Sequence, residues 1–198
     1  MYVKPENERS ASWYDGNYDA DLDFHNCHYT RAPSYPAWCI IADRMRREAP
    51  GRILDLGCGS GQLACLLRDK GFKNYLGVDF SARKIERARA ICPEFTFSLE
   101  GLYDCPALKE KKYDTVIAAQ VFEHILHDLD VIREIPRGVK CHITVPNVES
   151  MAHVRHFPDR ASVIEHYKSF FYAKSFSVTG VLINPAGKIH FLAEGIRK

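Results

Sequence analysis

Residues 52–64 have the sequence Arg-Ile-Leu-Asp-Leu-Gly-Cys-Gly-Ser-Gly-Gln-Leu-Ala. An apolar run precedes the three glycines of this stretch, and a second apolar run follows them. Residues 52–56 predict a short buried strand, 57–61 a tight turn, and 62–70 a helix that ends before a further glycine. Glycine lacks a Cβ, so the turn can adopt positive φ angles and let a ligand approach closely. The free amides at the start of the following helix point to the same place. This strand–turn–helix unit therefore predicts a ligand site.

The same alternation of strands and helices continues outward from this turn. Short apolar runs predict four further strands, at 75–78, 95–99, 113–119 and 140–145. Helical spacing predicts helices over 35–49, 82–90 and 121–134, and a mixture of helix and loop over 151–167. A β-hairpin is predicted near the end of the sequence, with strands 176–183 and 188–194 around an Asn-Pro-Ala-Gly turn. Residues 1–32 are polar and aromatic without a sustained period, which predicts a loosely structured arm.

Strands that alternate with helices predict an α/β fold, because parallel strands need crossover connections that cover both faces of a sheet. We expect a doubly wound, mainly parallel seven-stranded sheet, with one antiparallel strand in a C-terminal hairpin and helices on both faces. The length of 198 residues fits a single domain over 1–198. Within it, we expect 1–32 to form an arm or lid, 35–49 a leading helix and 52–198 a Rossmann-like core.

The composition argues against several classes of protein. A formal net charge of +2 falls short of the basic balance typical of nucleic-acid binders, and 46% hydrophobic with 26% charged residues is typical of globular chains. The seven cysteines form no Cys-x-x-Cys pair and are odd in number, which argues against a disulfide framework or a thiolate zinc site. No apolar stretch approaches the ~18 residues of a membrane span, and the N-terminus has no signal core, so we expect a cytoplasmic protein.

Two carboxylates beside the glycine turn indicate which kind of ligand it binds. Asp55 stands on the strand just before the turn, where it would repel a pyrophosphate but suits a cationic group. Asp79 ends the second strand, where a carboxylate can accept hydrogen bonds from both hydroxyls of a ribose. The glycines occupy alternate positions, unlike the G-x-G-x-x-G spacing of dinucleotide sites. Together these features describe a positively charged nucleoside without a phosphate, and S-adenosylmethionine is such a molecule.

The sequence resembles the class I methyltransferases in four motifs that follow one another in the family's order. They are ILDLGCGSGQLA at 53–64, YLGVDFS at 75–81, YDTVIAAQVFEHI at 113–125 and ITVPN at 143–147. The resemblance covers about residues 35–198. It implies a Rossmann-like fold and transfer of a methyl group from S-adenosylmethionine, which leaves S-adenosylhomocysteine.

The resemblance also implies roles for individual residues. Gly57 and Gly59 would line the methionine part of the cofactor, and Asp55 would orient its amino group directly or through water. Asp79 would hold the ribose. The other implied cofactor contacts are Phe80 on the adenine ring, Glu100, Gly101 and Leu102 at the adenine edge, and Gln120 facing cofactor and acceptor.

Candidate catalytic residues follow the fourth predicted strand. Glu123-His124 occupies a position where related small-molecule methyltransferases often carry Glu-His, and an imidazole titrates near working pH. We therefore expect His124, together with Glu123, to orient or deprotonate the acceptor. Acceptor contacts are also predicted for side chains after the fifth strand and for aromatic residues of the arm, namely His153, Arg155, His156, Tyr14 and Tyr18.

The pattern favours a small-molecule acceptor, with oxygen preferred over nitrogen, and no contact with nucleic acid or a membrane; it does not bear on the oligomeric state. One alternative is a metal-dependent small-RNA 2′-O-methyltransferase, in which Glu-x-x-Glu-His follows the fourth strand and further histidines follow the fifth. Gln120 stands in place of the first of those glutamates, and an amide binds hard cations less well, so no metal site is predicted. The second alternative is a protein that binds S-adenosylmethionine without turning it over. The glycine spacing and Asp55 both argue against a nicotinamide dehydrogenase.

Overall fold

A computed structural model describes residues 8–20 and 26–198, with the backbone alone for 18–20. Its strands are β1 Ile53–Leu56, β2 Tyr75–Asp79, β3 Thr96–Leu99, β4 Thr115–Ala119, β5 Lys140–Pro146, β6 Ser177–Leu182 and β7 Ile189–Ile196. They form one sheet in the order β3-β2-β1-β4-β5-β7-β6. β7 runs antiparallel to β5 and β6, and the other neighbours are parallel. The predicted fold class is thereby confirmed.

The α-helices lie between these strands and before them. They are α1 Ala11–Ala20, α2 Tyr35–Glu48, α3 Gln62–Asp69, α4 Ala82–Ile91, α5 Pro106–Glu110, α6 Asp128–Glu134 and α7 Arg160–Tyr167. Local chemistry sets their ends: the Ser81 hydroxyl accepts a hydrogen bond from the Lys84 amide at 3.3 Å and so caps α4. Within the ranges given above, no helix combines the length and apolar character that crossing a bilayer demands.

Two apolar clusters pack against the two faces of the sheet. Leu54 and Leu56 of β1 belong to the first cluster, and Ile53 belongs to the second. Successive side chains of a strand point to opposite faces, so this division follows the alternation of the strand. Helix α2 contributes Ile41 and Met45 to the second cluster, and both side chains are fully buried. The continuous burial of β1 is therefore that of a central parallel strand covered on both faces.

The order of the strands reverses beside β1. From β1 the chain proceeds through β2 to β3 on one side, and β4 then pairs with β1 on the other side. The loops after β1 and β4 consequently diverge and leave a crevice beyond the carboxyl ends of the strands. Such a topological switch point is where open α/β sheets bind ligands.

Two predictions about local structure were wrong. Residues 11–20 form a helix, where the polar composition predicted a loose arm. The helix predicted over 121–134 is interrupted: a 3-10 turn covers Phe122–His124, Ile125 is extended, and α6 begins only at Asp128. The carbonyls of Phe122, Ile125 and Leu126 accept hydrogen bonds from the Arg155 side chain. In a continuous helix these carbonyls would accept hydrogen bonds from main-chain amides, and here the Arg155 guanidinium takes the place of those amides.

The segment predicted as helix and loop over 151–167 is helical only from Arg160 onward. Asp159 starts α7 with a capping box, in which its side chain accepts from the Ser162 amide at 2.8 Å. The short helix α5 lies in a region for which the sequence predicted no element.

Candidate functional site

A cavity of about 490 Å³ occupies the crevice beyond the carboxyl ends of β1, β2 and β4. Its volume is within the range of small-ligand sites. Eleven residues singled out from the sequence line it: Tyr14, Asp55, Gly57, Gly59, Asp79, Phe80, Glu100, Gly101, Leu102, Gln120 and His124. The fold thus brings together side chains and backbone from five separate segments of the chain.

The glycine turn after β1 forms the floor of this cavity. Gly57, Gly59 and Gly61 have φ angles of 71°, 57° and 83°, which L side chains rarely adopt. A Cβ on Gly57 would lie 2.5 Å from Val121 Cγ2, so this position also needs glycine for close packing. At Gly59 a Cβ would meet no atom within 4 Å. The backbone at Gly59 therefore faces open space that a ligand can occupy.

Cys58 stands between these glycines and is buried in the cavity wall. Its thiol donates a long hydrogen bond to the Gly59 carbonyl at 3.7 Å. Burial raises the pKa of the Cys58 thiol well above its usual value, and the charges of Asp79 and Asp55 raise it further. The side chain is therefore held as a neutral thiol.

Asp55 is a buried carboxylate with one unsatisfied oxygen. The Tyr75 hydroxyl donates to Asp55 Oδ2 at 2.6 Å, and Oδ1 has no hydrogen-bond partner among the described residues. Burial raises the pKa of Asp55 to about 7, although the bond from Tyr75 acts in the opposite direction. A buried polar atom without a partner is costly. The cavity therefore presents an acceptor that a cationic donor would satisfy.

Asp79 is fixed by the backbone at the end of β2. Its Oδ2 accepts from the Gly59 amide at 3.0 Å, and its Oδ1 accepts from the Ser81 amide at 2.9 Å. A carboxylate oxygen has two lone-pair sites, so both oxygens keep the capacity to accept a further hydroxyl donor. The carboxylate is thus pre-oriented in the cavity wall.

The side chains of Phe80 and Tyr14 close another part of the wall. Phe80 is 39% exposed, and the Tyr14 ring meets it edge-on with ring centroids 5.3 Å apart. Tyr14 also meets the His124 ring edge-on at 5.9 Å, and the Lys84 ammonium lies 4.7 Å from the Tyr14 ring centroid. Helix α1 therefore carries Tyr14 to a position between Phe80 and His124.

The loop after β3 supplies Glu100, Gly101 and Leu102 to the cavity. The Glu100 carboxylate turns toward α5, where its Oε2 accepts from the Ala107 amide at 3.0 Å and from the Cys105 thiol at 3.1 Å. Glu100 thus helps to fix the loop, and Gly101 and Leu102 are left to border the ligand space.

Gln120 lies directly after β4 with a φ of 60°, a left-handed conformation that is uncommon outside glycine. Its amide donates to the Thr144 carbonyl at 3.0 Å, and its side-chain Nε2 donates to Thr144 Oγ1 at 3.2 Å. These bonds to β5 hold the turn that leads into the Phe122–His124 segment.

Glu123, His124 and His153 form a cluster behind the far wall of the cavity. The Nδ1–H of His124 donates to the Ala152 carbonyl at 2.9 Å, and that of His153 donates to the Val148 carbonyl at 3.0 Å. Glu123 is fully buried, and both carboxylate oxygens lack a hydrogen-bond partner within the described part of the chain. Burial raises the pKa of Glu123 to about 8 and lowers that of His124 to about 4. One ligand atom from each residue lies within 4.8 Å of the other two.

The other predicted acceptor residues lie outside the cavity wall. Arg155 is engaged by the protein: it donates to three carbonyls of 122–126, and its guanidinium lies 3.2 Å from the buried carboxylate of Asp128. His156 pairs with Glu149 at 3.3 Å on the surface. The side chain of Tyr18 lies outside the described residues. The predicted role of Arg155 as a cation for the acceptor is therefore replaced by a role in fixing the loop after β4.

Several contacts within the site could not be predicted from the sequence. One of them is the hydrogen bond from the Tyr75 hydroxyl to Asp55. Asp55 pairs with Gly77 in the register of β1 and β2, and Tyr75 lies two residues before Gly77 on the same face of the sheet, so this contact follows once the two strands are aligned. Thr144 and Arg155 form hydrogen bonds with residues of the loop after β4, which lie 24 or more positions away in the chain. No local pattern could have paired them.

Comparison with known proteins gives consistent matches. The family model described as "Methyltransferase domain" matches residues 34–178. The chain is 35% identical over 94 residues to the O-antigen chain terminator bifunctional methyltransferase/kinase of Escherichia coli, covering 44% of this chain and 13% of that protein. It is 34% identical over 90 residues to the ubiquinone biosynthesis O-methyltransferase of Rickettsia canadensis, covering 44% and 38%. The chain thus spans less than half the length of either relative.

A solved structure shares the fold. Magnesium protoporphyrin IX methyltransferase from Synechocystis, crystallised with bound S-adenosylmethionine, superposes with a TM-score of 0.59 at 18% identity. The superposition covers 82% of this chain and 78% of that one.

Substitution of the turn glycines distinguishes backbone strain from packing. Gly59→Ala should cost about 1–2 kcal/mol of unfolding free energy, because only the left-handed φ opposes it. Gly61→Ala should cost about 1–3 kcal/mol more, because its Cβ would lie 2.9 Å from Ala88 Cα on the α4 backbone. Urea unfolding of the ligand-free protein measures both values. Equal losses for the two variants would contradict the packing argument.

Removal of the Arg155 side chain should destabilise the fold strongly. Arg155→Met removes the guanidinium from the Asp128 carboxylate, which is 1% exposed and keeps only the His166 imidazole and the Tyr167 hydroxyl as partners, so we expect a loss of about 1.5–3 kcal/mol. Arg160→Met at the exposed start of α7 is the matched control and should cost less than about 0.5 kcal/mol. Adding Asp128→Asn to Arg155→Met should recover part of the loss in thermal or urea unfolding; no recovery would show that the buried charge is not the cause.

Proposed function

The chain belongs to the class I, S-adenosylmethionine-dependent methyltransferase family, and on that premise we propose that it transfers a methyl group from S-adenosylmethionine to a hydroxyl group of a small molecule. One observation carries the proposal. Asp55, at the end of the central strand, is fully buried in the cavity wall with an unsatisfied oxygen. The α-ammonium group of the cofactor is the cationic donor that this oxygen lacks.

The remaining cofactor contacts follow from the cavity walls. The ribose hydroxyls would donate to Asp79, whose carboxylate is already oriented by the Gly59 and Ser81 amides. The methionine part would run along Gly57 and Gly59, and the backbone at Gly59 faces open space. The adenine ring would lie against Phe80, with Gly101 and Leu102 at its edge.

Methyl transfer is an in-line displacement in which the acceptor oxygen attacks the methyl carbon while the carbon–sulfur bond breaks. The leaving electron pair stays on sulfur, and the acceptor proton must depart. The sulfonium already activates the carbon, so the protein acts mainly by alignment and exclusion of water, which can supply about 7–11 kcal/mol. Gln120 and His124 line the cavity beyond the cofactor position and would orient the acceptor there.

The charge of the cavity supports a small acceptor over a nucleic acid. Its wall carries five carboxylate side chains against two basic ones: Glu8, Asp55, Asp79, Glu100 and Asp104 against Arg9 and Lys84. A polyanion would be repelled by this balance. Oxygen is preferred as the accepting atom because His124 lines the cavity, where its imidazole could take the proton of a hydroxyl group, and the Rickettsia relative is an O-methyltransferase by name.

Calorimetry on the full chain tests cofactor binding. We expect uptake of S-adenosylmethionine and S-adenosylhomocysteine with one site and no measurable uptake of NAD. Asp79→Asn and Asp55→Asn should each weaken binding at least tenfold, since each removes a charge-assisted hydrogen bond. Asp43→Asn, an exposed carboxylate paired with Lys70 on the surface, is the control and should bind like the native chain. Firm binding of NAD with no uptake of the sulfonium would overturn the proposal.

Cofactor affinity should depend on pH through Asp55. The pKa of Asp55 in the free protein is raised to about 7 by burial, and an adjacent ammonium group favours the ionised form. Below pH 7, binding therefore releases a proton from Asp55. As the pH falls from 7 to 5.5, the dissociation constant should rise by up to about tenfold for each pH unit. Asp55→Asn should flatten this dependence. An equally steep dependence in that variant would assign the effect to another group.

Turnover is tested with a panel of phenols, carboxylic acids, sugars, amines and short RNAs, scored by release of S-adenosylhomocysteine. We expect release with a hydroxyl-bearing small molecule and none with RNA. Release only with RNA would favour the small-RNA alternative. Tight cofactor binding without release for any acceptor would favour a binding protein.

A further inference from the structure

The two histidines in the cluster of Glu123, His124 and His153 have a fixed tautomer. Each histidine donates its Nδ1 proton to a main-chain carbonyl, His124 to Ala152 and His153 to Val148. A carbonyl oxygen can only accept, so Nδ1 carries the proton and Nε2 of each neutral ring is the basic atom. Fixing the tautomer through a backbone carbonyl is the usual support of a metal-binding histidine.

Glu123 supplies an acidic group at the same place. Its side chain is 0% exposed, and neither oxygen has a hydrogen-bond partner in the described ranges. Arg155, the nearby cation, directs its guanidinium to main-chain carbonyls and Asp128. A buried carboxylate with no partner is expensive unless it is protonated or faces a cation. His124 Nε2 lies 3.9 Å from Glu123 Oε1, so the carboxylate and the imidazole face each other across a short gap.

We propose that Glu123, His124 and His153 bind one divalent transition-metal ion at the acceptor end of the cavity. Their ligand atoms lie within 4.8 Å of one another, and metal bonds of about 2.0–2.2 Å would draw them closer by small side-chain rotations. Two imidazole nitrogens and one carboxylate oxygen suit zinc, cobalt or manganese, whereas magnesium and calcium prefer oxygen ligands. Three protein ligands leave an open coordination position.

The sequence-based argument against a metal rested on Gln120, and the structure removes its force. The Gln120 side-chain amide donates to Thr144 Oγ1, and the cluster of Glu123, His124 and His153 does not depend on Gln120. The remaining donors are sufficient for a three-ligand site. His124 lines the cavity as well as belonging to the cluster, so the open position would face the acceptor.

The role of the ion in turnover rests on the proposed function, whereas binding of the ion to the cluster does not depend on that function. A hydroxyl oxygen in the open position would have a lowered pKa because the ion stabilises the oxyanion. The oxygen–methyl bond forms as the methyl–sulfur bond breaks with its electron pair on sulfur, and the hydroxyl proton passes to water. His124 would then act on the acceptor as a ligand of the ion.

Metal titration of the chelator-treated full chain, without cofactor, tests the site. We expect one equivalent of Mn²⁺ or Co²⁺ to bind to each chain. Calorimetry measures the binding of either ion, and the visible spectrum gives a second measurement for Co²⁺. Glu123→Gln and His153→Gln should each weaken binding at least tenfold. His156→Gln is the control, because His156 is a neighbouring histidine that pairs with Glu149 outside the cluster. Manganese is included because half-buried thiols such as Cys39 do not compete for it.

Equal affinity in all three variants, or no uptake of either ion at millimolar concentration, would overturn the proposal. Should the two cluster variants fail to fold, X-ray absorption of the native cobalt protein decides: two imidazoles and one carboxylate support the site, and any other set of ligands refutes it. Binding of S-adenosylmethionine is measured separately on the metal-free chain. Loss of the metal site with intact cofactor binding would leave the proposed function standing.

Discussion

The buried carboxylate of Asp55 is the constraint around which the site is organised. It lies one residue before the end of the central strand, where both faces of the sheet are covered and water has little access. The Tyr75 hydroxyl satisfies one oxygen only. Holding such a group in the interior costs free energy that the apolar clusters on either side of β1 must offset. The fold thus carries at its centre a carboxylate with one oxygen that lacks a hydrogen-bond partner among the described residues.

The two ends of the cavity are built in different ways. The end near Asp55 and Asp79 is made by one short stretch of backbone, whose left-handed glycines place amides and open space beside the carboxylates. The opposite end depends on contacts between remote segments. Arg155 gathers three carbonyls after β4, and the amides of Val154 and Arg155 donate to the Glu123 carbonyl at 2.8 and 3.3 Å. The position of Glu123 and His124 is therefore set by the segment that follows β5.

This difference explains how far the sequence could predict the structure. The turn after β1 and the placement of Asp79 follow from local rules: an apolar run, glycines, and a carboxylate at a strand end. The break in the helix predicted over 121–134 does not follow from local rules, because the apolar spacing of that segment is helical. The break depends on the Arg155 guanidinium, which donates to carbonyls of the segment. The helical state of 11–20 likewise depends on tertiary contacts, such as the bond between Asp15 and the Ser81 hydroxyl. The sequence predicts site roles for Glu123, His124 and His153, but not that they form one cluster, because burial and tautomer are properties of the folded chain.

The thiol of Cys58 has a chemical consequence for a protein of this family. A sulfonium cofactor is an alkylating agent, and sulfur anions are among the strongest nucleophiles in proteins. Burial and two neighbouring carboxylates keep this sulfur protonated, and it lies in the wall of the same cavity. Under the proposed function, a methyl donor bound in this cavity would lie beside a protonated thiol, which is a poor nucleophile, so the desolvation of Cys58 would also protect the turn from alkylation.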